Sequence, residues 1–450
     1  SVVVLDVETG GVIVQASTPS FDPNAFTEGL STAQWRAVAD NERAPLRNKA
    51  LAGEYAPGST FKMIVALAAL EAGLITPRTN FFCPGFLEVG DGKFHCWRRH
   101  GHGHVDLDRG IAESCDVYFY EVSRRVGIDN IARMAQQFGL GTELGMDTPG
   151  ERSGLIPTKA WKRAVIGQPW VLGETLVAGI GQGFITTTPM QLATMTARMV
   201  NGGKIIQPHL ARDVVTRGKL ATRAPSEIET IDVKPQHLKA VTDAMALVIS
   251  APSGTAHAAR IMTPGMSMGG KTGTAQVRRI TQRERDREGG VIKNKDLPWR
   301  FRDHALFVGY GPVEAPRYAI SVVVEHGGGG SADNAPLRGR KGQMFEGGIR
   351  VPCIVKWPGK IPAGATSDEF LISLEILPTL CAATGAAPPK GVALDGFDML
   401  SVLQGKRASP RAEMFWQRKL DKAARVGHWK WVESSRGNGL FDLCHDIGER

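Results

Sequence analysis

The chain lacks a long apolar segment and has little cysteine, and each shortage excludes a class of protein. No stretch of about 18 uncharged apolar residues occurs, and the nearest approach, residues 63–70, is followed at once by Glu71. The sequence therefore predicts no membrane-spanning helix. A signal-peptide pattern is also missing, because the chain opens directly in the strand-like run Ser1-Val-Val-Val-Leu-Asp, and we interpret it as a fragment. Six cysteines among 450 residues are too few for a disulfide scaffold.

The excess of basic residues does not identify a partner. A formal net charge of +9 would suit either nucleic acid or an anionic cell-envelope surface. The basic side chains are scattered, however, and the densest run, residues 278–287, also contains Glu and Asp. We therefore predict no nucleic-acid partner.

The hydrophobic pattern predicts an α+β fold followed by a second unit. Strands are predicted at 2–5, 12–16, 268–276, 304–309 and 318–324, the first two forming a hairpin. Helices are predicted at 59–72, 110–126, 128–138, 188–199 and 233–249. An N-terminal hairpin that joins late strands, with helices between, is an α+β arrangement. The character of the sequence changes at His326-Gly-Gly-Gly-Gly-Ser, and a strand at 351–357, a helix at 369–383 and a strand at 429–432 follow. We therefore predict two domains, 1–330 and 331–450.

Three short motifs carry the chemistry, namely Ser59-Thr-Phe-Lys62, Ser114-Cys-Asp116 and Lys271-Thr-Gly-Thr274. Singly each occurs by chance, because a serine often caps a helix and a lysine is usually a surface charge. In this order, each on the element that its role requires, they predict a serine acyltransferase with Ser59, Lys62, Ser114, Asp116 and Lys271 as catalytic residues.

The residue types of the first two motifs suit nucleophilic catalysis. Ser59 opens a predicted helix, where unpaired backbone N–H groups and the positive end of the helix dipole lie. Lys62 projects from the same face one turn later and can reach the Ser59 hydroxyl. Lysine can act as the base if burial and a second cation, Lys271, lower its pKa. Ser114 can relay a proton to the leaving nitrogen.

The third motif suits a strand that holds an extended peptide. Lys271 and Thr272 are predicted near the terminal carboxylate of the peptide, and Gly273 leaves room for its close approach. The backbone N–H groups of Ser59 and Thr274 are predicted to form an oxyanion hole.

Residues 1 to about 330 resemble the transpeptidase domain of class B penicillin-binding proteins, and most of all the branch that serves rod-shape elongation. The Ser-x-Asp form of the second motif suits that branch. The resemblance also rests on Ser17-Thr-Pro-Ser-Phe-Asp-Pro-Asn24, Tyr55-Ala-Pro-Gly-Ser-Thr60, Gly101-His-Gly-His104, Glu113-Ser-Cys-Asp-Val-Tyr-Phe-Tyr120, Gly179-Ile-Gly-Gln-Gly183, Pro252-Ser-Gly-Thr255 and Arg302-Asp-His-Ala-Leu-Phe307.

The resemblance implies an antiparallel sheet with helices on both sides. It also implies acylation of Ser59 by peptidoglycan stem peptides ending in D-Ala-D-Ala, transfer to an acceptor amine, and covalent inhibition by β-lactams, with no cofactor required for catalysis. It implies a membrane glycosyltransferase partner and a place at the periplasmic face of the bacterial inner membrane, although the family's membrane anchor, pedestal domain and C-terminal helix are absent from the sequence. Three alternatives stay open: a β-lactam sensor, a β-lactamase, and a carbohydrate- or sulfate-binding role for the tail.

Four residues of the types that bind metals occur close together, spaced Cys83-x12-Cys96-x5-His102-x12-Cys115. Three thiolates and an imidazole are a suitable tetrahedral set for structural zinc. Cys115 lies inside the second motif, so a metal there would tie residues 83–102 to the catalytic site. A disulfide and free buried thiols remain alternatives, and His95, His100 and His104 are rival ligands.

Residues 331–450 instead resemble the C-terminal part of sulfatases. The resemblance rests on residues 334–342, with Lys341 matching the family's sulfate-contacting lysine, and on 345–352, 357–359, 426–430 and 440–443. The Cys/Ser-x-Pro-x-Arg nucleophile motif and an upstream Asp-Asp pair are absent from the sequence. A lone lysine without nucleophile or metal does not hydrolyse a sulfate ester at a useful rate. We therefore interpret the tail as catalytically incomplete and the chain as a chimera joined within 327–331.

Overall fold

The computed structural model describes the chain except for residues 212, 217–218, 223–228, 264, 279, 281–283, 285–290, 329–336, 339–342, 351–352, 354, 356, 358, 363–364, 386, 388–393, 419 and 450. Two compact units are present, Ser1–Gly330 and Ser331–Arg450. Within the described part of the chain, no helix has both the length and the apolar character needed to cross a bilayer.

A five-stranded antiparallel sheet forms the centre of the first unit, in the order β2-β1-β11-β10-β9. The N-terminal strand thus lies between its hairpin partner and a strand from the far end of the unit. The predicted strands are confirmed with small changes at their ends. The five are β1 (Val2–Asp6), β2 (Val12–Ala16), β9 (Gly269–Ala275), β10 (His304–Gly311) and β11 (Tyr318–Val324).

Helices surround this sheet and supply most of the core. They are α1 (Asn24–Glu28), α2 (Thr32–Ala39), α3 (Lys49–Ala52), α4 (Lys62–Glu71), α5 (Leu107–Ala112), α6 (Asp116–Val126), α7 (Ile128–Gln137), α8 (Lys159–Val165), α9 (Leu172–Gly179), α10 (Pro189–Val200) and α11 (Pro235–Ser250). The sequence of α4 is apolar on every side, and the helix is buried from Lys62 to Leu70. A helix without a polar face belongs in the middle of a core. It carries the first motif into the interior.

The helix predicted at 110–126 is wrong as a single element. The structure has α5, a break, and then α6, and Ser114 lies in the break with a φ of 57°. Cys115 becomes the N-cap of α6, its Sγ accepting the backbone N–H of Tyr118 at 3.5 Å. The break turns the Ser114 hydroxyl towards the buried end of α4, as the site requires.

Three small two-stranded antiparallel sheets in the described part of the chain were not predicted. They consist of β3 (Phe81–Cys83) with β6 (Gly103–Val105), β4 (Phe86–Val89) with β5 (Gly92–His95), and β7 (Asp213–Thr216) with β8 (Lys219–Thr222). The first two bring the segment between α4 and α5 back over the start of α6.

The second unit is built on a four-stranded antiparallel sheet, β12 (Glu413–Arg418), β13 (Asp421–Val426), β14 (Trp429–Glu433) and β15 (Gly439–Asp442). The predicted final strand is confirmed as β14. Short helices precede the sheet, namely α12 (Glu346–Ile349), α13 (Ile376–Thr384) and α14 (Leu400–Leu403). The helix predicted at 369–383 therefore starts later, after a 3-10 turn at Ser373–Glu375. Lys341 and residues 351, 352, 354 and 356 of the strand predicted at 351–357 lie outside the described part, and the described residues 353, 355 and 357 belong to no strand.

A buried ion-pair cluster lies beside this second sheet. The Lys430 ammonium is fully buried, 2.8 Å from Glu346 Oε1 and 3.0 Å from Glu449 Oε1. Burial raises the pKa of Glu449. The lysine therefore compensates two carboxylates that are buried with it.

Candidate active site

Ser59 lies in a 3-10 turn, Gly58–Phe61, that leads directly into α4. Gly58 has a φ of 55°, and a Cβ on it would overlap the carbonyl of Thr274 on β9. Its N–H donates to the carbonyl of Gly181 at 2.8 Å. Only glycine allows this approach, so the predicted pair of N–H donors, those of Ser59 and Thr274, belongs to two segments in close contact.

Strand β9 presents the third motif to this turn. A Cβ on Gly273 would lie 3.0 Å from the carbonyl oxygen of Pro57 and 2.9 Å from Thr60 Cγ2. Gly273 therefore admits the Ser59 turn, and its role in the approach of the substrate peptide stays a prediction. The hydroxyls of Thr272 and Thr255 lie 2.8 Å apart.

The remaining predicted residues form a buried polar array. Lys62 Nζ donates to Ser114 Oγ at 3.2 Å, to the Ser114 carbonyl at 3.0 Å and to Asp116 Oδ1 at 2.8 Å. Lys271 Nζ donates to the same Ser114 Oγ at 2.9 Å and to the Thr272 carbonyl at 2.9 Å. Both ammonium groups are 0% exposed. One hydroxyl thus lies between two lysines.

The electrostatics of this array act mainly on Lys271. Burial lowers the pKa of Lys271 well below the usual lysine value; the charge of Lys62 lowers it further, and Asp116 opposes both. Lys62 was expected to reach the Ser59 hydroxyl, but its three hydrogen bonds go to Ser114 and Asp116. An ammonium has three N–H donors and no lone pair, so Lys62 must first lose a proton, and with it one of these three bonds, before it can receive the Ser59 proton.

The four predicted metal-ligand residues, Cys83, Cys96, His102 and Cys115, come together in one buried cluster. Their ligand atoms all lie within 4.8 Å of one another. His102 Nδ1 is 3.6 Å from Cys83 Sγ and 3.5 Å from Cys96 Sγ. The three thiols are free, without a disulfide. Hydrogen bonds from Cys115 and Cys96 lower the pKa of Cys83 to about 3, whereas hydrogen bonds with Cys83 and Cys96 raise the pKa of Cys115. A buried set of three sulfurs and one imidazole at this spacing fits a tetrahedral metal ion.

Two further residues of the site were missed at the sequence level. Gln182 Nε2 donates to the Thr274 carbonyl at 2.8 Å, which orients the peptide that follows Lys271-Thr-Gly. Trp97 donates to the peptide carbonyl of Ser114. Gln182 lies in a stretch that supported the family resemblance, so it could have been found; no signal in the sequence indicated Trp97.

The family model described as "Penicillin binding protein transpeptidase domain" matches residues 1–340. The chain belongs to the penicillin-binding protein transpeptidase family. A second model, "N-sulphoglucosamine sulphohydrolase, C-terminal", matches residues 340–420. The predicted resemblance of the two parts to two unrelated families is therefore confirmed.

Relatives of this penicillin-binding protein have been characterised. The peptidoglycan D,D-transpeptidase MrdA of Escherichia coli K12 is 36% identical over 341 residues, which are 75% of this chain and 53% of that protein. MrdA of Haemophilus influenzae is 35% identical over 362 residues, which are 79% of this chain and 54% of that protein. The chain thus spans about half the length of the curated relatives that it matches. The crystal structure of Pseudomonas aeruginosa PBP2 in complex with WCK 5153 superposes with a TM-score of 0.64 at 38% identity, over 73% of this chain and 67% of that one. The complex between PBP2 and MreC from Helicobacter pylori superposes with a TM-score of 0.63 at 34% sequence identity, over 73% of this chain and 56% of that one.

Proposed function

We propose that this chain is a peptidoglycan D,D-transpeptidase, in which Ser59 carries the acyl group. The observation that supports it best is the buried array of Lys62, Ser114 and Lys271 behind a serine whose turn packs against Thr274. The names of the MrdA relatives support the same activity.

In the acylation step, Ser59 Oγ attacks the carbonyl carbon of the penultimate D-Ala of a stem peptide. Its proton passes to neutral Lys62, and the oxyanion accepts hydrogen bonds from the backbone N–H groups of Ser59 and Thr274. The C–N bond then breaks, and the terminal D-Ala leaves as an amine that takes a proton through Ser114. The buried Lys271, with Thr272, binds the terminal carboxylate.

In the transfer step, an acceptor amine attacks the Ser59 ester. The amine loses a proton to the Lys62–Ser114 pair, the new amide bond forms, and Ser59 Oγ recovers its proton as the C–O bond breaks. The same groups act in both directions, as the microscopic reversibility of acid–base catalysis requires.

Fluorescent penicillin tests the assignment directly. We expect one covalent label per chain, lost in Ser59→Ala, together with D-Ala release from a D-Ala-D-Ala peptide when an acceptor amine is present. A label without D-Ala release would indicate a β-lactam sensor, and rapid turnover of the penicillin would indicate a β-lactamase. A wild-type chain that takes no label, or a label that survives Ser59→Ala, contradicts acyl transfer altogether.

We also propose that Cys83, Cys96, His102 and Cys115 hold a structural zinc ion. The ion would link the paired strands β3 and β6 to the start of α6. The close approach of all four ligand atoms supports it. Elemental analysis of purified protein should give about one zinc per chain. Cys83→Ser should lose the metal, whereas Cys444→Ser, at an exposed thiol elsewhere, should keep it. A wild-type chain without stoichiometric zinc contradicts the site.

We propose a place at the periplasmic face of the inner membrane and a glycosyltransferase partner of the elongation machinery. Solved relatives include the complex between PBP2 and MreC from Helicobacter pylori and a peptidoglycan synthase complex that coordinates polymerization and crosslinking. Co-purification of the chain with a membrane glycosyltransferase tests the partnership. Recovery no greater than that of an unrelated periplasmic protein contradicts it.

We propose that the second unit has no sulfatase activity and that the chain is a chimera of unrelated parents. Two unrelated families meeting at residue 340 support this. Amplification across residues 325–335 from source DNA tests the join. A single continuous product from independent isolates contradicts an accidental assembly, and sulfate release from an aryl sulfate contradicts the inactive tail.

A further inference from the structure

Trp97 holds both ends of the Ser114-Cys-Asp116 motif. Its indole Nε1 donates to the Ser114 carbonyl at 3.0 Å and to the Glu113 carbonyl at 3.2 Å. Its backbone N–H donates to Asp116 Oδ2 at 2.9 Å, while the other oxygen of that carboxylate accepts from Lys62. We propose that Trp97 is a positioning residue for acyl transfer, which keeps the Ser114 hydroxyl between the two lysines; this rests on the proposed transpeptidase function.

The Ser114 peptide needs such support. Its φ of 57° is a conformation that a serine rarely adopts, because the Cβ comes too close to the following carbonyl oxygen. In the structure that carbonyl accepts one bond from Lys62 Nζ and one from the Trp97 indole, each at 3.0 Å. Lys62 must lose a proton, and with it one donor, to act as the base; the indole of Trp97 keeps its N–H and stays bonded to this carbonyl.

Because Trp97 is largely exposed, we infer that its hydrogen bonds, and not the packing of its ring in the core, fix its position. The side chain is 59% exposed, although its N–H reaches buried acceptors. A tryptophan that served only the core would be buried. Cys96 and His102 anchor the segment on either side of it, and the His102 ring meets the indole edge to face at 5.5 Å. The tryptophan therefore connects the cysteine cluster with the catalytic groups.

The substitution Trp97→Phe keeps an aromatic ring and removes the indole donor. We expect the rate constant for acylation of Ser59 by fluorescent penicillin, measured in a stopped-flow instrument, to fall about tenfold with an unchanged dissociation constant for the initial complex. Trp170→Phe is the matched control, because its indole also donates a hydrogen bond, to Thr175 Oγ1 at 2.8 Å. That variant should acylate at the wild-type rate.

A second replacement separates the N–H from the shape of the side chain. Benzothienylalanine at position 97 keeps the size of the indole and puts sulfur in place of the N–H, so it should show the same loss while metal content and melting temperature stay at wild-type values. An acylation rate within twofold of the wild type in both variants overturns the proposal for Trp97 alone. A loss that appears only together with lost metal or a lowered melting temperature also overturns it, because Trp97 would then be merely structural. A wild-type chain that takes no label overturns the proposed function and this inference with it.

Discussion

At the scale of single residues, the central feature is one hydroxyl that contacts two buried ammonium groups. Ser114 Oγ accepts from Lys62 and from Lys271. Burial penalises the charged form of Lys271, and the ammonium of Lys62 repels it. Lys271 consequently loses its proton at a lower pH than an ordinary lysine, whose pKa is 10.5.

The lowered pKa of Lys271 predicts a pH dependence of substrate binding. Below this pKa the ammonium is charged and binds the peptide carboxylate; above it the charge and the attraction are lost. The dissociation constant for a D-Ala-D-Ala peptide should therefore rise with pH before 10.5 is reached. Lys271→Arg, which stays charged above pH 12 or so, should move this rise to higher pH. Binding titrations check it, with an amidated peptide as the control that should show no rise. Identical curves for the two proteins would contradict the role of Lys271.

The positive φ of Ser114 predicts an unusual order of stabilities. Ser114→Ala and Ser114→Gly both remove the hydroxyl, and both should lower acylation about 100-fold by removing the proton relay. Glycine also relieves the left-handed backbone. The glycine variant should therefore be more stable than the alanine variant by about 1 kcal/mol. Thermal melting of the two proteins compares them, and an alanine variant of equal or greater stability would contradict backbone strain at this position.

At the scale of elements, the contact between the Ser59 turn and β9 decides the geometry of the site. The two glycines that permit it, Gly58 and Gly273, come from segments far apart in the chain. β9 is an edge strand of the five-stranded sheet. That edge can receive an extended peptide by strand addition.

Replacing Gly58 by alanine should destroy this contact. The new Cβ would overlap the Thr274 carbonyl, and the φ of 55° adds strain. Gly73→Ala is the matched control, since Gly73 has a φ of 65° with open space around it. The control should lose about 1 kcal/mol of stability and keep its acylation rate. Gly58→Ala should lose more stability and most of its acylation. Urea unfolding and penicillin labelling measure both, and equal effects at the two positions would count against a tight contact.

The sequence was sufficient to predict the elements whose apolar pattern is long and regular. The central strands and α4 are of this kind, and the structure brings Lys62, Ser114 and Lys271 of the three motifs together. The break between α5 and α6 could not be predicted, because the pattern is helical on both sides of Ser114. What ends α5 there is a set of tertiary hydrogen bonds from Lys62 and Trp97. The strands of three or four residues in the small two-stranded sheets were missed because they are too short to show a hydrophobic period.

At the scale of the whole molecule, the two units differ in how their buried charges are used. In the first, Lys62 and Lys271 lie on either side of the Ser114 hydroxyl. In the second, Lys430 only neutralises Glu346 and Glu449 beside the sheet. The groups of the acyl-transfer site lie within residues 58–274, and the Lys430 cluster lies within 346–449.

Removing the cation from that cluster should unfold the second sheet selectively. Lys430→Met removes the buried ammonium from Glu346 and Glu449 and leaves Glu346 with its longer ion pair to Arg350 at 3.9 Å, which should lower stability by about 3–5 kcal/mol. Hydrogen exchange in peptides from β12 to β15 should accelerate, while the rate of Ser59 acylation stays the same. Lys422→Met, at an exposed lysine of the same sheet, is the control and should exchange like the wild type. Unchanged exchange in Lys430→Met would show that the cluster is dispensable.

The position of β1 between β2 and β11 affects the order in which parts of the first unit fold. The sheet cannot form completely until β11, at the end of the unit, has paired with β1 at its beginning. β9, which contacts Gly58, belongs to the same sheet. Contacts so distant along the chain form late and slowly in folding. Competence to react with penicillin should therefore appear after the helices during refolding. A penicillin pulse given at successive times would then record the closing of the sheet, with far-ultraviolet circular dichroism recovering first.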